Sequence, residues 1–369
     1  MKVLIVTTQR HFNFGTLLQC HALQHYLESQ GCDVDVLDYL GKEYSRSGIS
    51  RFRILLGDLR RHPFKYLQIL LNSRKRQKRK KLFKKFLKER VNLTQSKYAT
   101  LIDIKRNIHE YDVYIAGSDQ IWNPRLGGFK PTYFLKFAPK QRQKISYAAS
   151  FGIDSFNEKE KEDIQSMVED FTAISCREQS GIDFLNSAGI DSTLTVDPTF
   201  LLSADYWREI SDRQTIKKTE SGYVLTYFLS ESAPKTEMGR HFIKDKNVNL
   251  INLSVNDNAP SDSILGVGPE QFLTLIDNCD LLITDSFHGI VFSIIFHKDF
   301  YIVPRSKNHS DSQNTRIINL LTALNLMDRW IPSLELPDHR KEIDYSIVDA
   351  LLKNHISAST NWLKSQLMR

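Results

Sequence analysis

The sequence is poor in the patterns that usually announce a function. Its four cysteines, Cys20, Cys32, Cys176 and Cys279, form no CxxC pair. They suit a reduced, cytoplasmic chain with buried thiols better than a disulfide framework or a zinc site. No apolar run approaches the roughly 20 residues that cross a bilayer. The opening MKVLIVTT is too short for the apolar segment of a secretory leader, and no small-residue cleavage site follows, so it reads as a first strand. There is no GxxxxGK[ST] loop and no GxGxxG after that strand, which argues against ATP hydrolysis and against a dinucleotide cofactor. No GxSxG elbow is present. His21 and His25 stand at i, i+4 without an HExxH glutamate or a third ligand, so no metal is expected. There is no repeat at a solenoid period and no low-complexity tract.

What is present is ordinary globular material. The chain has 369 residues, 41% hydrophobic and 25% charged, which suggests two domains. The charge is local. Between Arg74 and Arg90 there are eleven Lys or Arg and one Glu, a net +10 against +7 for the whole chain, so the remainder carries about −3. The basic character therefore belongs to one segment and does not make the whole protein a nucleic-acid binder.

Strands and helices alternate along the chain. KVLIVTT (2–8) has the length of a buried strand. GTLLQCHALQHYLESQG (15–31) has helical spacing and stops at Gly31, and DVDVLDY (33–39) alternates like the next strand. A βαβ opening predicts a parallel sheet. Later strands are expected in YDVYIAGSDQIW (111–122), KISYAASFG (144–152), FTAIS (171–175) and STLTVDPTFLL (192–202). The second half repeats the plan with SGYVLTYFL (221–229), VNLINLS (248–254), DLLIT (280–284) and DFYIVP (299–304). GPEQFLTLIDNC (268–279) opens a helix with Pro269 in its first turn. The expectation is an α/β protein of two doubly wound, Rossmann-like domains facing a cleft. The N-terminal domain spans 1–205 with a basic helical insertion at 45–100, and the C-terminal domain spans 206–343. A final helix at 344–369 packs back on the first domain. In such sheets ligands sit at the carboxyl ends of the strands.

One of those ends is unusual. DLLITDSFHGIVFSIIF (280–296) sets Asp285, Ser286 and His288 between two apolar runs. Polar groups in that position must be hydrogen-bonded or must face a ligand. The exit from strand into helix exposes backbone N–H groups around His288 and Gly289, where an anion is favoured. Asp285 or Ser286 can equally cap the helix, but a helix start does not need a histidine. At other strand exits, Asn13 and Gly15 open the first helix, Asn13 as a potential cap and Gly15 as a point of close backbone approach. AGSDQIWNP places Ser118, Asp119, Gln120, Trp122 and Asn123 together. Polar groups beside an indole suit a sugar, although Trp122 suits the core as well. Arg177 follows the strand TAIS and should face the same cleft.

FNFGTLLQCHALQHYL, YDVYIAGSDQIWNP, KISYAASFG, ISCREQSGIDFL, TVDPTFLL and LLITDSFHGIVFSIIFHKDFYIV occur here in that order. Together they resemble the polysaccharide pyruvyl transferase family, over nearly the whole chain from Met1 to about Leu326. The resemblance implies a GT-B-like fold and a pyruvyl (ketal) transferase. Such an enzyme moves a pyruvyl group from phosphoenolpyruvate, a co-substrate rather than a cofactor, onto two hydroxyls of a sugar as a cyclic ketal and releases phosphate. It implies His288 as the catalytic acid and Arg177 as the arginine that holds the donor. Asp119 is the candidate to orient or deprotonate a hydroxyl. Some relatives carry Arg-Leu-His where this chain has Ser286-Phe287-His288, so Arg305, Lys307 or Arg316 is expected to supply the missing cation. A GT-B glycosyltransferase using a nucleotide sugar is the alternative, because fold alone does not choose the donor. A membrane-associated scaffold without activity is a third reading, against which His288 and Arg177 argue.

The basic segment RKRQKRKKLFKKFLKER (74–90) carries Leu82, Phe83, Phe86 and Leu87 at helical spacing. It reads as a helix that packs a narrow apolar stripe on the domain, with its other face either simply solvated or, as expected here, set against an anionic membrane. A lipid-linked oligosaccharide would be presented there. No RNA-recognition module accompanies the charge. The expected setting is cytoplasmic, peripheral on the inner membrane face.

Overall fold

The computed structural model describes residues 1–41, 71–212, 222–230, 232–244, 248–256, 259, 262–305, 314–335 and 342–368. Residues 45–70 of the expected helical insertion and Lys307, one of the three candidate replacement cations, lie outside the described residues.

The N-terminal sheet is parallel. Strand β1 (Lys2–Val6) lies between β2 (Asp33–Val36) and β3 (Val113–Ala116), and β4 (Gln143–Ser146) pairs with β3. Two short strands, β5 (Ser175–Cys176) and β6 (Thr193–Leu194), continue it through single bridges at Ile145–Ala173 and Ala149–Cys176. The C-terminal sheet, also parallel, has the order β10-β9-β7-β8. Its strands are β7 (Tyr223–Phe228), β8 (Asn249–Ser254), β9 (Leu281–Thr284) and β10 (Asp299–Ile302). VYIA, YVLTYF and LLIT are buried at every position, as strands covered on both faces must be.

Helix α1 (Phe14–Ser29) is not amphipathic, and its surroundings explain why. Thirteen of its sixteen residues are buried, because it is wedged between the two halves of the molecule. Asn13 caps it by accepting from the Thr16 N–H at 3.3 Å. Phe14 lies parallel to Phe272 of the other half with ring centroids 4.4 Å apart. The basic segment forms α2 (Ser73–Arg90), and its buried residues are Arg79, Phe83, Phe86 and Leu87. The N-terminal half is completed by α3 (Leu101–Asn107), α4 (Glu158–Val168), α5 (Gln179–Ser187) and α6 (Ala204–Glu209). The C-terminal half carries α7 (Ala233–Ile243), α8 (Pro269–Asn278), α9 (Phe287–Ile295) and α10 (Thr315–Ala323). No helix among the described residues is long and apolar enough to cross a membrane.

The last helix, α11 (Tyr345–Leu367), joins the two halves. Near its start the Tyr345 hydroxyl donates to the Lys298 carbonyl at 2.6 Å. Farther along, Ser359 Oγ accepts from the Val196 N–H at 3.0 Å, and Gln143 Nε2 donates to the Gln366 carbonyl at 2.7 Å. The main core cluster runs through both halves without a break, with Val3, Leu23 and Phe83 on one side and Tyr227, Phe272 and Phe292 on the other.

His21 and His25 both meet Tyr206, His21 through the hydroxyl and His25 by stacking on the ring at 4.3 Å. His21 Nδ1 meets the Arg90 carbonyl at 2.8 Å and Nε2 meets the Tyr206 hydroxyl at 2.7 Å. Burial pushes the His21 pKa down to about 4. The unfolded chain therefore takes up a proton near pH 6.5 that the folded chain refuses until about pH 4. Stability should be fully present above pH 6.5 and should fall by about 3 kcal/mol as the pH drops to 4. Urea titrations of the parent and of His21→Gln measure this, and parallel pH profiles for the two would remove His21 as the cause.

Candidate active site

The carboxyl ends of the two sheets face each other, and the polar residues at those ends meet between them. Arg177 directly follows β5. Asp197 follows β6 and caps the short 3-10 turn at Pro198–Leu201. Ser118 and Asp119 follow β3 by one and two residues after Gly117. His288 sits in the first turn of α9, just after β9, and Arg316 in the first turn of α10.

Asp197 is the hub, and sequence reasoning missed it. Its side chain is fully buried. Oδ1 accepts from the Thr199 N–H at 3.1 Å and from the Thr199 hydroxyl at 2.7 Å. Oδ2 accepts from Arg177 Nη1 at 2.5 Å and from Ser118 Oγ at 3.4 Å, and it lies 3.5 Å from His288 Nε2. The last distance is too long for a firm hydrogen bond, but it sets a carboxylate of one half against the histidine of the other. Burial alone would raise the Asp197 pKa. His288 and Arg177 outweigh it and hold the carboxyl far below its ordinary range. The signal in the sequence was an Asp-Pro step directly after a strand, in TVDPTFLL.

His288 reaches across to α1. A Cβ on Gly15 would lie 1.9 Å from His288 Nδ1, so only glycine leaves room for the imidazole. The close approach expected at Gly15 is thus made by the candidate catalytic side chain itself.

Asp119 lies beside this contact. Its Oδ2 accepts from the Thr16 hydroxyl at 2.7 Å and the Thr8 hydroxyl at 3.2 Å. Its backbone is held at φ 77°, a left-handed conformation that Asp tolerates better than most residues. Burial works to raise its pKa, but Arg177 and His288 prevail, so it lies below the ordinary value. Asp119 is therefore a carboxylate at neutral pH.

Two buried arginines flank one aromatic ring. The guanidinium carbon of Arg177 lies 4.4 Å from the centroid of Phe287, and that of Arg316 lies 5.7 Å from it. Burial and the neighbouring Arg177 lower the Arg316 pKa to about 10. With its amide turned so that oxygen faces the guanidinium, Gln120 accepts from both Arg316 Nη atoms at 2.6 and 2.8 Å. Arg177 Nε and Nη2 and Arg316 Nε are buried with no hydrogen-bond partner among the described residues. Buried N–H groups of a cation are rarely left idle.

The other expected site residues fall elsewhere. Ser286 caps α9 by accepting from the Gly289 N–H at 3.3 Å. The Asp285 carboxylate is engaged at the exit of β7, accepting from Leu229 N–H at 2.6 Å, Ser230 N–H at 3.1 Å and Lys235 Nζ at 2.7 Å. Arg305 is half-buried at the exit of β10, and its N–H donates to Asn314 Oδ1 at 3.1 Å. Trp122 is not a sugar platform. It is fully buried, stacked on Phe134 at 5.0 Å, and its Nε1 donates to the Tyr133 carbonyl at 3.1 Å, so no ring face is left for a ligand.

Two parallel α/β sheets closing on one polar site define a GT-B-like enzyme architecture. The chain resembles the UDP-GlcNAc 2-epimerase of Neisseria meningitidis bound to UDP-GlcNAc, with a TM-score of 0.51, 11% identity and all of both chains covered. It also matches the UDP-GlcNAc 2-epimerase of Methanocaldococcus jannaschii at a TM-score of 0.49 and 12% identity, over 96% of this chain and 92% of that one. MurG of Acinetobacter baumannii matches at 0.42 and 12%, over 96% and 90%. At such identities the likeness is one of fold. No curated protein matches by sequence. The polysaccharide pyruvyl transferase family matches residues 13–307, and the chain belongs to that family.

Proposed function

We propose that the protein transfers a pyruvyl group from phosphoenolpyruvate to two hydroxyls of a sugar, forming a cyclic ketal and releasing phosphate. The observation that carries this reading is the pair of buried arginines with idle N–H groups beside His288. Two cations held together in a water-poor place call for an anion, and guanidinium groups match carboxylate and phosphate geometry. Arg316 takes the place of the cation that Ser286 does not supply. His288 protonates the enol carbon, leaving an oxocarbenium-like centre that a sugar hydroxyl attacks. The second hydroxyl then displaces phosphate. The enol carbon keeps one hydroxyl proton, by way of His288, and phosphate leaves with the other. Asp119, ionised and held by two threonine hydroxyls, orients the attacking hydroxyl. Asp197 holds Arg177 and faces His288, so it acts as a positioning residue. The acceptor is a sugar of a surface-polysaccharide precursor, such as a capsule or exopolysaccharide. It is carried on a lipid at the cytoplasmic face of an anionic membrane.

A ligand that binds only the folded state stabilises it by about 2.7 kcal/mol at a hundred times its dissociation constant. Phosphoenolpyruvate should therefore raise the melting temperature by several degrees, at roughly 2–4 °C per kcal/mol for domains of ~150–250 residues. Arg177→Ala should abolish the rise. Inorganic phosphate is the control, and nucleoside diphosphates should do little. A large shift with a nucleoside diphosphate and none with phosphoenolpyruvate would instead support a glycosyltransferase.

A further inference from the structure

Helix α2 is more than a basic surface feature of one domain. Phe83 on its inner side packs against Phe12 at 5.7 Å and Phe14 at 5.2 Å, at the exit of β1. Arg79 Nη1 donates to the Val255 carbonyl at 2.8 Å, at the exit of β8 in the other half. Asn72 Nδ2 donates to the Ala259 carbonyl at 3.2 Å, and Lys75 Nζ to the Ser263 carbonyl at 3.3 Å. A Cβ on Gly268 would lie 2.7 Å from Leu82 Cβ. The helix thus runs from one sheet's carboxyl edge to the other's and walls one side of the cleft.

Its outer face is at odds with helix stability. Lys80–Lys84, Lys81–Lys85 and Lys84–Lys88 are like-charge pairs at i, i+4, all exposed. Each such pair destabilises a helix by a few tenths of a kcal/mol. Only Lys85 has an acidic neighbour among these, Glu89 at 3.9 Å. Lys80, Lys81, Lys84 and Lys88 have no acidic partner among the described residues. A partner of high negative charge density relieves that repulsion. Beside the helix stand two exposed apolar side chains, Leu71 at 69% and Phe12 at 36% exposure. Clustered lysines with isolated apolar side chains suit a bilayer surface, and no nucleic-acid recognition module accompanies them in the sequence.

We propose that α2 is the docking wall of the cleft: its outer face lies on an anionic bilayer, Phe12 enters the headgroup layer, and a lipid-linked acceptor reaches the site past Asn13. The orientation of the acceptor rests on the functional reading above, whereas the docking surface does not. Docking sets the mouth of the cleft at the membrane.

Co-sedimentation of the full chain with phosphatidylcholine vesicles, with and without phosphatidylglycerol, tests the surface. Binding should require the anionic lipid and should be lost in 1 M salt, where charges are screened beyond about 3 Å. Replacing Lys80, Lys81, Lys84 and Lys85 together by Gln should weaken it by about two to three orders of magnitude. Those four spare the contacts that hold the helix on the protein. Phe12→Ser should weaken it further without changing the salt dependence. Unchanged vesicle binding by the lysine variant overturns the proposal, as does equal binding to neutral vesicles, an effect of salt but none of Phe12→Ser, or preference for a single-stranded RNA oligonucleotide over anionic vesicles. Transfer from phosphoenolpyruvate to a short soluble acceptor is measured separately and should survive the four substitutions. Its absence in the parent would defeat the functional reading and leave the vesicle result standing.

Discussion

The His288→Ala variant is expected to turn over phosphoenolpyruvate at least about a hundredfold more slowly than the parent while remaining folded, since general acid catalysis contributes roughly 10²–10⁴-fold. The size of the effect follows from the site. Among the described residues His288 is the histidine that approaches both Asp197 and α1, so its ring is the one placed to transfer the proton. The substitution removes a ring that Gly15 leaves room for and adds nothing that could clash. The measurement is phosphate release at saturating donor and acceptor, with circular dichroism to show that the fold persists. Turnover near the parent's in a folded variant would remove His288 from the chemistry.

Replacing Asp197 by Ala is expected to cost the most stability, about 3–5 kcal/mol, the usual cost of removing one partner of a buried ion pair. The side chains of Arg177 and Asp197 are 2% and 0% exposed, so the guanidinium left behind has little access to water. The Thr199 N–H and hydroxyl lose their acceptor at the same time. Urea denaturation gives the difference directly. A loss under about 1 kcal/mol would mean that water or another acceptor takes over from Asp197 and that the pair is less isolated than its burial implies.

The sequence and the structure agree best where a pattern is local. The parallel sheets follow from apolar runs such as KVLIV and LLIT, and the helix at Pro269 from its first-turn proline. The inner stripe of the basic helix was legible as well, except that a buried arginine, Arg79, shares it with Phe83, Phe86 and Leu87. Four helices went unread. Leu101–Asn107 and Ala204–Glu209 have only seven and six residues, less than two turns each. Glu158–Val168 is so rich in charge that its apolar face shrinks to Ile164 and Val168, and Ala233–Ile243 carries a glycine, Gly239, in its interior. Strands β5 and β6 are only two residues each, too short for any periodicity to speak.

Within the site, residues that follow strands could be named from the sequence, because a strand end is a local event. Which of them meet could not. Gly15 and His288 touch across the two halves, and no spacing rule links positions so far apart. Trp122 illustrates the opposite error. Its polar neighbours in AGSDQIWNP suggested a sugar, yet the indole turns inward to Phe134 while Asp119 and Gln120 turn to the cleft. Neighbours in a loop can point in opposite directions, and composition does not record the direction.

The unbroken core described above has a consequence for how the chain can exist at all. Phe14, Phe83, Tyr227 and Phe272 belong to one packed cluster contributed by both sheets. Cutting the chain between the sheets would leave each piece with a greasy wound, α1 stripped on one and Phe272 bared on the other. Exposed apolar patches of that kind drive association with whatever is near. The two halves are therefore halves in topology only, and neither is a portable module. Any ancestral or engineered exchange of one half for a relative's must carry α1, α2 and the facing surface of α8 together, as one inherited seam.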